Sequence, residues 1–115
     1  MRYLLLIGND DKTAAPPSPA EGQAMVQAFM RFSEEARAAG KTVVAERLQP
    51  EGEASRVRVK AGHRHLTDGP FAETKEALGG FYLIECGSKA EALEWAKKVP
   101  IREGGFVDVR PVWQM

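Results

Sequence analysis

The pattern Ser-x-x-Glu occurs twice, at Ser18–Glu21 and at Ser88–Glu91, and each time it opens an apolar stripe of helical period. Such a box satisfies two otherwise orphaned backbone donors at a helix start, so it fixes where a helix begins. Behind the first box, Pro19 suits the first helical position, and Met25, Phe29, Phe32 and Ala36 recur on one face until Gly40 supplies a stop. Behind the second, Ala92, Trp95, Ala96 and Val99 share a face and Pro100 ends the helix. Two helices are thereby placed, and the rest of the chain must be built around them.

The remaining apolar runs are too short for helices. Tyr3 to Ile7 is continuously apolar and ends at Gly8-Asn9-Asp10-Asp11, which reads as a strand buried on both faces. Thr13 to Pro19 is a loop, Thr42 to Leu48 a second strand, and Gln49-Pro50-Glu51-Gly52 a turn. Arg56 to Lys60 alternates strictly, turns at Ala61-Gly62 and returns over His63 to Thr67 as a hairpin. Gly79-Gly80 leads into Phe81 to Cys86, and Phe106 to Val112 is the last strand. Setting the hairpin aside leaves β-α-β-β-α-β, the ferredoxin-like order of an α+β fold with an extra hairpin. Helices on one face leave the other face of such a sheet bare. A second copy is the simplest cover, so a homodimer is expected.

Composition narrows the function. The chain has 115 residues, a single domain over 1–115, and is 43% hydrophobic, too apolar for a disordered chain. Sixteen basic and sixteen acidic side chains cancel, so no bulk field draws it to nucleic acid. Cys86 is the single cysteine, which excludes an intramolecular disulfide and a cysteine-based zinc site and points to a reducing compartment. No apolar run is long enough for a membrane helix, and the start is too short for a signal peptide. A cytoplasmic protein without nucleic-acid or membrane partners is the expectation.

Chemistry concentrates between the hairpin and the Phe81 strand. Asp68-Gly69-Pro70-Phe71-Ala72-Glu73-Thr74-Lys75-Glu76 packs four ionisable groups, a Gly-Pro turn and an aromatic into nine residues. Gly69 allows unusual backbone angles, and Asp68 is placed to accept backbone amides ahead of it. Glu73, Lys75 and Glu76 are set to project into a shared pocket, where burial would tune them for acid–base work. The alternative is a solvated connection anchored by Phe71.

This segment, with Thr67 before it and Leu78-Gly79-Gly80-Phe81-Tyr82-Leu83-Ile84-Glu85 after it, resembles the YCII-related domain family in its DGPF branch. The resemblance extends over Tyr3–Ile7, Glu46–Pro50, Ala92–Ala96 and Val109–Val112. It implies a dimeric α+β barrel on ferredoxin-like topology. Some relatives in the wider superfamily resemble lyase-type or dehalogenating enzymes with a His–Asp pair, and domains of this branch occur beside sigma factors, which implies a regulatory link. Asp68 matches the motif aspartate, while residues 9–41, where the partner histidine would fall, contain none.

The candidate ligand-binding residues are therefore Asp68, Phe71, Glu73, Lys75, Glu76 and Arg110, with Asp68, Glu73 and Glu76 as candidate acid–base groups. Arg110 interrupts an apolar strand and needs a carboxylate such as Glu85 or Glu46, either as an ion pair or as a ligand clamp. His63 and His65 are two apart on a strand and supply half of a zinc site at most; the simpler reading continues the solvated cationic face of Arg56, Arg58 and Lys60. Neither a metal nor a cofactor is expected. Cys86 reads as an inert apolar residue, and Trp95 and Trp113 as core or interface. Three functions remain open: a ligand-binding module using the motif pocket, a lyase- or isomerase-type enzyme using its carboxylates, and a non-catalytic regulatory or interaction dimer.

Overall fold

The computed structural model describes residues 1–11, 15–71 and 76–114. Its elements are β1 (Arg2–Asn9), α1 (Pro19–Ala38), β2 (Thr42–Arg47), β3 (Ser55–Lys60), β4 (His63–Asp68), β5 (Ala77–Glu85), α2 (Lys89–Lys97) and β6 (Gly105–Pro111), with a short 3-10 turn at Glu51–Glu53. Four strands form one sheet in the order β2-β5-β1-β6, and β3 and β4 form a separate two-stranded sheet. The pairings of β1 with β5 and β6, and of β5 with β2, are all antiparallel. This is the ferredoxin-like α+β arrangement expected, with the hairpin inserted between β2 and β5.

The first helix starts as its sequence dictates. Ser18 Oγ accepts from the Glu21 amide, and the Glu21 carboxylate accepts from the Ser18 amide, each at 3.2 Å. The Ser18 hydroxyl, then the Ser18 amide, hold the Glu21 carboxyl below the usual carboxylate range. At the other end Gly40 takes a φ of +72°, and Lys41 N–H reaches back to the Ala36 carbonyl at 3.0 Å. A left-handed residue there lets the chain turn while satisfying the last carbonyls.

The second box is only half formed. Ser88 Oγ accepts from the Glu91 amide at 3.2 Å, but the Glu91 carboxylate accepts from Gly87 N–H at 2.8 Å and not from Ser88. Its other oxygen lies 2.6 Å from Lys41 Nζ, and this ion pair links α2 to the end of α1. The helix also stops before the expected breaker: Lys98 is its cap, two residues ahead of Pro100.

Alternation along the strands assigns the two sheet faces. Tyr3, Leu5, Tyr82, Ile84 and Cys86 join Phe32 of α1, Ala92 of α2 and Val99 in one buried cluster. Phe32 meets Tyr82 edge to face at 5.1 Å between ring centroids. Leu5 and Ile84 are the largest fully buried side chains, each worth about 1.5–3 kcal/mol of burial. Leu4, Leu6, Phe81 and Leu83 are half-buried and point the other way, onto a face that carries no helix. Cys86 lies inside the cluster, and burial pushes its thiol up. Trp113 is 88% exposed, which removes it from the core.

Candidate functional site

The motif segment is first of all a corner. Asp68 closes β4 and accepts from the Ser55 hydroxyl at 2.8 Å, a bond across the base of the hairpin rather than to the backbone amides ahead of it. Gly69 N–H donates to the Ala54 carbonyl at 2.7 Å. A Cβ at Gly69 would run into the Glu51 carbonyl oxygen. Glycine is required by this close backbone approach, since Gly69 does not take a positive φ. The Gly69–Pro70 peptide is cis. Phe71 is only 8% exposed, its N–H donates to Glu51 Oε1 at 2.6 Å, and the Arg56 guanidinium lies 3.9 Å above its ring. Each of these contacts ties residues 68–71 to residues 51–56.

Of the expected site residues, Asp68, Phe71, Glu76 and Arg110 are among those described. Asp68 and Glu76 are both exposed, and Phe71 is turned into the corner. Glu73 and Lys75 lie outside the described residues. Arg110 is exposed on the helix-free face, opposite Leu4 of β1, and among the described residues it takes part in no ion pair. Of its expected partners, Glu85 is engaged by the N-terminal ammonium at 3.1 Å and by Arg2 at 3.5 Å, and Glu46 stands at the opposite edge of the sheet on β2. His63 and His65 pair with Lys60 and Arg58 across the hairpin, on its cationic face. Among the described residues, no three His, Cys, Asp or Glu side chains come together as a metal site.

A different feature has the shape of a site. A cleft of about 960 Å³ opens along one flank of α1, between that helix and the end of the sheet. Met25, Phe29 and Ser33 of α1 face Ile7, Gly80 and Tyr82 across it. Its origin is in the sequence. α1 buries Phe32 and Ala36 against the sheet, whereas its flank of Met25, Phe29 and Ser33 meets a strand end bordered by Gly8, Gly79, Gly80 and Gly105. Gly80 lies two residues before Tyr82, so it holds the row position whose side chain would fill the gap. It cannot carry one: an added Cβ would stand 2.8 Å from the Glu46 carbonyl oxygen of β2. The strand pairing that demands glycine leaves the helix without a floor.

The cleft is apolar with one deep polar pair. Ser33 Oγ and the Tyr82 hydroxyl share a hydrogen bond at 2.6 Å, and Tyr82 is buried. One of these hydroxyls donates to the other, which leaves the second proton and spare lone pairs for a guest. Met30, Arg102, Glu103 and the Glu34–Arg37 ion pair also line the cleft and are exposed. Ala77, directly after Glu76, also borders the opening. Sequence reading placed Met25 and Phe29 in the core and passed over Ser33 and Tyr82. The Gly79-Gly80 pair was the available signal, since two glycines entering a buried strand leave space beside them.

Comparison with known proteins agrees with the fold. The model of the YCII-related domain matches residues 1–115. An uncharacterised protein of Rhizobium meliloti (strain 1021) is 37% identical over 114 residues, covering 97% of this chain and 92% of that protein. Split βαβ topology, two one-sided helices and a match along the whole length make this chain a member of the YCII-related domain family.

Proposed function

We propose that this protein binds a small, mainly apolar molecule in the cleft beneath α1, acting as a cytoplasmic homodimer that joins through its helix-free sheet face. The observation that carries the reading is the cleft itself, whose size falls in the range of small-molecule sites and whose apolar wall converges on the Ser33–Tyr82 pair. A guest with one carbonyl or hydroxyl end and an apolar body matches that lining. The methionines Met25 and Met30 suit it too, because a thioether wall adapts to varied shapes. Binding ranks ahead of acid–base catalysis because, among the described residues, no carboxylate is buried. Dimerisation is supported by the row of Leu4, Leu6, Phe81 and Leu83 on a face with no helix over it.

Anilinonaphthalene sulfonate, an aromatic amphiphile, tests the reading. One probe should bind per chain with enhanced fluorescence, and Met30→Asp, a change at a 66% exposed position, should weaken it about tenfold or more while leaving the fold intact. Probe binding that is indifferent to Met30→Asp but lost on Leu83→Arg would move the site to the helix-free face and overturn the proposal.

A further inference from the structure

The β3–β4 hairpin is built with two faces and, among the described residues, neither is covered by another layer. Its register sets Val57 opposite Leu66 and Val59 opposite Arg64, so these four share one face. Arg56, Arg58, Lys60, His63 and His65 share the other. Val57, Val59 and Leu66 are 61%, 65% and 72% exposed. A lone two-stranded hairpin is at best marginally stable in water, and an apolar row along it raises the cost of standing free. The hairpin also reaches outward. The chain spans 45 × 44 × 18 Å with a radius of gyration of 16.0 Å, against about 13 Å for a compact domain of this length.

Charge and shape select what covers it. Within Ser55–Asp68 the sequence has four cations, Arg56, Arg58, Lys60 and Arg64, and one carboxylate, Asp68, a formal net +3 against −3 for the rest of a neutral chain. Hairpin against hairpin would therefore oppose like charges, whereas hairpin against the body of another copy joins opposite ones. The helix-free face offers a matching row. Glu46, Phe81, Leu6 and Asp108 stand side by side across β2, β5, β1 and β6, two carboxylates flanking an apolar centre. Among the described residues neither Glu46 nor Asp108 takes part in an ion pair. Strands of six residues extend about 20 Å, enough to cross a sheet whose four strands span about 15 Å.

We propose that the hairpin is an arm that lies on a second copy of this chain, seating Val57, Val59 and Leu66 on the Phe81–Leu6 centre and Arg64 beside Glu46 or Asp108 of that copy. The inference rests on the homodimer reading above and names how the dimer is held.

Sedimentation velocity of the full chain across a concentration series tests it. Val59→Ser with Leu66→Ser should raise the dimer dissociation constant about tenfold or more for each apolar side chain removed. Arg64→Glu should weaken the dimer as well, and Glu46→Arg with Asp108→Arg in the same chain should restore it. All these positions are exposed, so unchanged far-ultraviolet dichroism separates loss of the contact from loss of the fold. Arm variants that dimerise like the parent while Leu83→Arg gives monomers would overturn the arm and keep the sheet-face dimer. Weakening by Arg64→Glu without rescue by the double reversal also overturns it, since the arm would then act within its own chain. A parent chain that sediments at 12.6 kDa throughout removes the homodimer reading itself.

Discussion

The corner at residues 68–71 and the cleft beneath α1 use polar groups in opposite ways. In the corner, Asp68 is matched with Ser55, Gly69 with Ala54, the Phe71 amide with Glu51 and the Phe71 ring with Arg56. These partners lie 13 to 20 positions away, and together they hold the foot of the hairpin. In the cleft, Ser33 and Tyr82 come from elements 49 residues apart, share one bond and retain hydrogen-bonding capacity above an apolar floor. Polar groups at residues 68–71 are thus spent on architecture, while a cleft can be made from ordinary core residues and a missing side chain. What distinguishes the two is whether the local polar groups satisfy one another.

If that distinction holds, substitutions in the two regions should separate stability from binding. The largest effect belongs to the corner. Phe71→Ala removes a buried ring together with its cation stack and should cost about 3 kcal/mol in urea unfolding, with the probe affinity of the folded protein little changed. Met30→Asp in the cleft should show the converse, with stability within about 0.5 kcal/mol of the parent. Equal losses of binding in both variants would mean that corner and cleft form one unit.

A smaller effect sharpens the same division. Asp68→Ala removes an exposed acceptor with a single bond from Ser55, so the expected loss is about 0.5–1 kcal/mol and not the larger penalty of orphaning a buried group. Ser55→Ala should cost a similar amount, and the double variant should cost little more than either alone. Fully additive losses would show that Asp68 has another role.

The fold was legible because its signals are local. Capping residues, a positive-φ glycine and period-two alternation each act over a few positions, and strand order followed from the sequence of elements. The second capping box read less well. Glu91 had a rival partner in Lys41, fifty positions away, which a local pattern does not contain. The site was harder for the same reason. Residues 68–76 drew notice through their composition, yet whether charges converge on a ligand or on one another depends on what lies across from them. Gly69 was read as a residue needing special angles, but its requirement comes from the Glu51 backbone against it. The cleft depends on Gly80 meeting β2 beneath α1, a coincidence of three elements that periodicity within any one of them does not reveal.

The smallest effect comes from the Lys41–Glu91 pair, which borders neither region and so isolates stability from both. The Lys41 ammonium, then the Gly87 amide, hold the Glu91 carboxyl below its ordinary value of 4.5. The Glu91 carboxylate in turn holds the Lys41 amine above its ordinary 10.5. A carboxyl with a lowered folded-state pKa stabilises fully above its unfolded value and loses that contribution as pH falls through the folded one. An amine with a raised pKa behaves in reverse: its contribution is complete below the unfolded value and is lost as pH rises through the folded one. The stability gap between the parent chain and Glu91→Gln should therefore form a plateau between these limits and close toward both acid and alkali. Both side chains are about one-third exposed, so added salt should lower the plateau. Melting temperatures of the two chains across pH, at low and high salt, measure the gap directly. Probe affinity for the cleft should be the same in both chains within the plateau; a change in affinity there would show that the α2 side of the layer communicates with the cleft, and that the two regions compared above are not independent of the rest of the fold.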